Sequence, residues 1–138
     1  MEFQPLTKEK NSDMKLNKEK AFLISFVLVM VGITVLSLLP PKSGVELGSH
    51  DKMSHFIAYS VFSLNYGLVV STIKKHFYGL PFLIAYGMFM EFCQGFVPGR
   101  EPSWLDILAN STGVAIGFLI YSLGVKFTTL KKNVNETK

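Results

Sequence analysis

Four apolar runs divide the chain. The first, residues 21–39, is nineteen residues without a charge, close to the helical length that crosses a bilayer. A buried helix of a soluble domain would rarely run this far without a polar face. Pro40 and Pro41 stop it. The second run, from about Met53 to Ile73, contains His55, Tyr59, Ser60, Ser63, Asn65 and Tyr66, so it needs protein neighbours rather than lipid on all sides. Lys74, Lys75 and His76 read as a tight turn. The third run spans 77–96, with Pro81 in its first turns, where proline is best tolerated. The fourth starts at Trp104, ends near Leu123 and is followed by Lys126, Lys131 and Lys132. Only helices and closed barrels satisfy the backbone in lipid, and short loops make successive helices antiparallel neighbours. The pattern therefore predicts an all-α, four-helix transmembrane bundle, with helices at about 20–39, 52–73, 77–97 and 104–126. One membrane domain over 20–126 is flanked by polar cytoplasmic tails, 1–19 and 127–138, the first read as solvated and mobile.

Composition supports this pattern. Of 138 residues, 49% are hydrophobic and mean hydropathy is +0.32, with the apolar residues in blocks. The single cysteine, Cys93, excludes an internal disulfide and reads as a small packing residue. A net charge of +4 is no sign of nucleic-acid binding here, because the basic residues segregate by topology. With the N-terminus in the cytoplasm, eleven lysines fall inside. Three basic residues, Lys42, Lys52 and Arg100, fall outside. That bias predicts a multi-pass protein of the cell membrane with both termini cytoplasmic. A cleaved signal peptide fits poorly, since the leader is long and Leu39-Pro40-Pro41 offers no small-residue cleavage site.

Polar chemistry concentrates in two places. Glu91, Gln94, Arg100, Glu101, Ser103, Asp106 and Asn110 crowd into twenty residues between apolar runs, and Ser49 to His55 forms a second cluster. The predicted topology puts both at the outer surface. At 1.5 Å per residue, His55 lies roughly 6 Å beyond Asp51, Glu91 about 8 Å before its helix end, and Asn110 about 10 Å past Ser103. Spacing also sets a face. Asp51, His55 and Tyr59 fall at i, i+4 and i+8; Glu91 and Gln94 at i and i+3; Ser103, Asp106, Asn110, Gly113 and Gly117 share one stripe. The two glycines let another helix come close. Charges inside a membrane helix are costly unless paired or facing a wet cavity, so these stripes should turn inward together.

Each residue also has a plainer reading. Asp51 could be an N-cap, and Ser103-Trp104-Leu105-Asp106 fits a capping box. His55 could be a packing histidine, Lys52 and Arg100 interfacial anchors, and Tyr59 and Asn110 structural hydrogen-bond partners. Glu91 is hardest to explain away: a carboxylate within a helix, with no base one turn off, must be neutral or paired across helices.

The set Asp51-Lys52-x-x-His55-Phe56-x-x-Tyr59, Glu91-x-x-Gln94 and Pro98-Gly99-Arg100-x-x-Ser103-x-x-Asp106-x-x-x-Asn110-x-x-Gly113 resembles the VanZ-like family of small bacterial membrane proteins, over roughly residues 22–125. The resemblance implies a four-helix membrane domain and a role at the cell envelope, with low-level teicoplanin resistance as the named member's phenotype. It further implies kinship with helical enzymes acting on lipid head groups, and matching site positions at Asp51, His55, Glu91, Arg100, Asp106 and Asn110.

Two functional classes follow. As a lipid head-group transferase or hydrolase, the chain would hold phosphate oxygens with Arg100 and Lys52. His55 would be base or nucleophile, oriented by Asp51, and Glu91 the acid. Asp106, Asn110, Gln94, Tyr59 and Ser103 would position the head group. Asp106 and Asn110 could ligate a divalent cation through oxygen; zinc would want more histidine or cysteine. As a non-enzymatic protein, it would bind or shield a membrane lipid, a lipid-linked cell-wall precursor or a glycopeptide with the same residues. No polar stripe crosses the whole membrane, which disfavours ion passage.

Overall fold

The computed structural model describes residues 6–40 and 48–136, which form four helices: α1 (Leu6–Leu38), α2 (Gly48–Val70), α3 (Ile73–Gln94) and α4 (Trp104–Glu136). Among the described residues there is no strand. Most of the stretch expected to join the first two helices, and the tips of both tails, lie outside them.

The helix order is as predicted, and the boundaries are not. α1 reaches back to Leu6 and α4 runs on to Glu136. The segments read as polar tails are therefore largely helical, and they are exposed over residues 10–20 and 127–136. Lysine, glutamate, methionine and leucine are strong helix formers, and pairs such as Lys15–Glu19 at 3.9 Å add i,i+4 support. The second correction concerns the α2–α3 turn. It falls at Ser71 and Thr72, not at 74–76. Ser71 takes φ 59, and Thr72 caps α3 by accepting the Lys75 amide at 3.3 Å. His76 is thus on α3 and buried, and Pro81 lies inside that helix rather than near its start.

α1, α2 and α4 contain stretches long and apolar enough to cross a membrane. α3 falls short of that measure; it carries Lys74 and Lys75 at its start, and His76, Glu91 and Gln94, which face inward. Its outer face presents Phe77, Phe82, Met88, Phe89 and Phe92, each more than half exposed. So large an apolar surface suits lipid, not water.

α2 is the central helix. It packs on all three others, while α1 touches α2 and α3. α2 and α4 run parallel in close contact, because a side chain at Gly113 or Gly117 would collide with the carbonyl oxygens of Phe56 and Ser60. The core between helices holds Ile33, Tyr59, Phe62, Leu83 and Val114, with Phe26 stacked on Phe62 at 5.0 Å. Polar pegs cross it. Ser25 donates to Asn65 at 2.6 Å, and Thr34 and Tyr86 share a hydrogen bond of 2.7 Å. This connectivity brings the C-terminal ends of α1 and α3 and the N-terminal ends of α2 and α4 to one end of the bundle.

Candidate functional site at one end of the bundle

The loop from α3 to α4 builds the floor of the site. Val97, Pro98, Gly99 and Arg100 make a tight turn closed by Arg100 N–H donating to the Val97 carbonyl at 3.1 Å. Gly99 has φ 80. Proline before a positive-φ glycine is the type II arrangement, so Pro98 and Gly99 fix where Arg100 emerges.

Arg100 then reaches across to α1. Its Nε donates to the Leu39 carbonyl at 3.1 Å and its Nη2 to the Leu36 carbonyl at 3.3 Å. These carbonyls belong to the end of a helix, where acceptors lack intrahelical partners and a cation is favoured. Nη1 lies 3.9 Å from Asp51 Oδ1. The acid beside Arg100 is Asp51, therefore, and not Glu91.

Glu91 is instead paired across helices. Only 1% of its surface is exposed. Its Oε2 accepts the Ser103 amide at 3.3 Å, and its Oε1 lies 3.6 Å from His55 Nδ1. Ser103 immediately precedes α4, so Glu91 on α3 caps the start of α4. This replaces the expected capping box: the Ser103 amide goes to Glu91, and Asp106 turns inward with 5% exposure. Asp51 is likewise not the N-cap of α2, which begins at Gly48; it sits in the first turn, where the helix dipole favours an acid.

His55 stands among these groups. Its Nδ1 is 3.0 Å from Asn110 Oδ1, and its Nε2 is 3.8 Å from Asp51 Oδ1. An amide oxygen can only accept, so Nδ1 carries the hydrogen and a neutral ring has its lone pair on Nε2. Donor atoms of Asp51, His55 and Asp106 all lie within 4.8 Å of one another, and among the described residues this is the one group of three or more histidines, acids or cysteines that could hold a metal ion. Asn110, through its Oδ1, orients the histidine.

A cavity of about 290 Å³ opens beside this cluster. Asp51, His55, Tyr59, Gln94 and Arg100 form its polar wall, and Ile33, Leu36 and Ala58 its apolar one. A second space of about 230 Å³, lined by Asp51, Gln94, Gly99, Arg100 and Glu101, adjoins it. Within the site, Tyr59 Oη, Glu91 Oε1, Gln94 Nε2, Asp106 Oδ1 and Asn110 Nδ2 are buried with no hydrogen-bond partner among the described residues. Buried polar groups are rarely left so, unless water, an ion or a ligand serves them.

Of the ten residues singled out in the sequence, Asp51, His55, Tyr59, Glu91, Gln94, Arg100, Ser103, Asp106 and Asn110 come together here. Lys52 is half-buried on α2 and does not line either cavity. Sequence reasoning missed the part played by α1. Ser37 lines the larger cavity, and the Leu36 and Leu39 carbonyls anchor Arg100; backbone acceptors leave no trace in residue types.

A profile of the VanZ/LLP1 family matches residues 3–125. The match takes in the N-terminal segment before the first apolar run, which the motif resemblance left aside. Neither a curated protein nor a solved structure matched the chain significantly.

Proposed function

The chain belongs to the VanZ/LLP1 family, and from that premise and the geometry of the site we propose that it takes the head group of a lipid-linked phosphate or saccharide into the cavity beside Arg100, at the outer leaflet of the cell membrane. One observation carries the reading: a single cavity with a charged wall and an apolar wall, at the bundle end where helix termini meet. Its volume of about 290 Å³ is at the lower end of ligand sites. It suits a head group and the first carbons of a chain rather than a whole lipid.

The membrane setting rests on the family, the three membrane-length helices and the outward phenylalanines of α3. We take α3 as a fourth crossing, with both termini cytoplasmic. This places the site on the outer side by the lysine bias.

Within this reading the site acts on the head group. His55 has a lone pair at Nε2 and an acid on either side, which suits a general base or nucleophile. One observation favours the alternative of a binding or shielding protein without turnover: two nitrogens of Arg100 are already engaged by α1, which makes its guanidinium a fixed wall. Lipid extracts of membranes carrying wild type or His55→Ala, compared by mass spectrometry, separate the two. An altered lipid-linked species that depends on His55 supports turnover; identical lipid profiles rule it out. The family resemblance makes teicoplanin susceptibility the cellular phenotype to measure alongside.

A further inference from the structure

The geometry points to a divalent cation of the Mn²⁺ kind, held by Asp51, His55 and Asp106. The cation's use toward a phosphate rests on the head-group reading above; its binding does not.

Donors on one such ion sit about 3–4.4 Å apart, given bond lengths of about 2.0–2.2 Å. The three donors here already lie within 4.8 Å of one another, from two different helices. Small side-chain adjustments close them on one ion.

Three further observations favour an ion over a bare cluster of acids. The first is the histidine's orientation. Asn110 Oδ1 at 3.0 Å holds the Nδ1 hydrogen, and the free nitrogen, Nε2, faces Asp51. A ligating histidine has this arrangement, with its other nitrogen donating to an oxygen behind it; with an ion bound, the Nε2 lone pair is on the metal, so His55 then serves as a ligand in place of the base or nucleophile. The second is Asp106. Its Oδ1 is buried without a hydrogen-bond partner, in a residue 5% exposed. A buried carboxylate oxygen is costly in that state, and a metal supplies the missing partner. The third is charge. Among the described residues, Asp51, Glu91, Glu101 and Asp106 outnumber Arg100 and Lys52 at this end of the bundle, and a dication offsets the excess. One nitrogen and two oxygens leave further coordination positions open, as catalytic sites do. A cation there would polarise a phosphoryl oxygen beside it.

The test uses the full chain in detergent or nanodiscs, stripped with EDTA and titrated with Mn²⁺ alone, with electron paramagnetic resonance as the readout. The expected result is one Mn²⁺ per chain, with a nitrogen coupling from an imidazole ligand. Asp106→Asn should weaken binding at least tenfold, His55→Ala should abolish the nitrogen coupling, and Glu136→Gln, far away on the exposed end of α4, should change nothing. The coupling is read on the wild type, so a variant that fails to fold does not blunt the test. Absence of stoichiometric Mn²⁺, or bound Mn²⁺ without nitrogen coupling, overturns the inference. Native mass spectrometry of the same chain, with and without EDTA, to detect retained lipid distinguishes it from the head-group reading. A phosphate- or sugar-headed lipid retained by a chain that binds no Mn²⁺ sinks the metal alone. Mn²⁺ bound with its nitrogen coupling by a chain that captures no such lipid upholds the metal and sinks the head-group reading.

Discussion

Glu91 shows how one side chain can serve two elements. Its carboxylate sits on α3, caps α4 through the Ser103 amide and faces His55 of α2. Glu91→Gln keeps an acceptor of the same shape, so it should cost little stability. Glu91→Leu leaves the Ser103 amide and the histidine facing an apolar group, a loss of about 1–3 kcal/mol. Thermal unfolding in detergent should rank wild type and Glu91→Gln together and Glu91→Leu well below. Arg100 tells a related story. Arg100→Ala frees two α1 carbonyls and should lower stability by about 1–2 kcal/mol. Arg100→Lys keeps the charge but not the fork. It should fold and bind a head group poorly, and Glu91→Gln should not rescue it, because the acid beside Arg100 is Asp51. The sequence made the acids and the arginine conspicuous. It did not reveal that Arg100 anchors α1, because its partners are carbonyls.

At the scale of elements, α2 and α4 decide the architecture. The 3-4 rhythm of Ser103, Asp106, Asn110, Gly113 and Gly117 announced a close approach by some helix, and α2 is that helix. Residue types could not say which partner it would be, since a glycine stripe is equally open to every neighbour. Overpacking a tight contact typically costs about 1–3 kcal/mol. Gly117→Ala should show that loss in a thermal melt, whereas Gly124→Ala, with open space around the added carbon, should be neutral or slightly stabilising. Helix ends were less legible than helix middles. Apolar runs mark where lipid-length helices lie, but α1 and α4 continue into exposed lysine-rich turns that bury nothing. The Thr72 cap moved the α2–α3 turn and put His76 inside the bundle. There its Nε2 is 3.0 Å from Ser63 Oγ, and Tyr66, Phe118 and Tyr121 surround its ring edge-on. In the sequence, His76 next to two lysines looked like part of a solvated turn.

For the whole molecule, orientation decides which leaflet the site serves. In a Cys93→Ser background, cysteine at Glu101 should react with an impermeant thiol reagent in whole cells, and cysteine at Lys75 should react only after permeabilisation. Both positions are exposed, at opposite ends of the bundle. The reverse pattern would move the site to the cytoplasmic face. The central claim, that one end of this bundle holds a lipid head group beside Arg100, is tested most directly by native mass spectrometry of the full chain released from its own membranes. Wild type should carry a phosphate- or sugar-headed lipid, retained at collision energies that strip bulk lipid, and Arg100→Lys should lose it while staying folded. Wild type and Arg100→Lys carrying the same lipids to the same extent, or neither retaining any, would contradict the account.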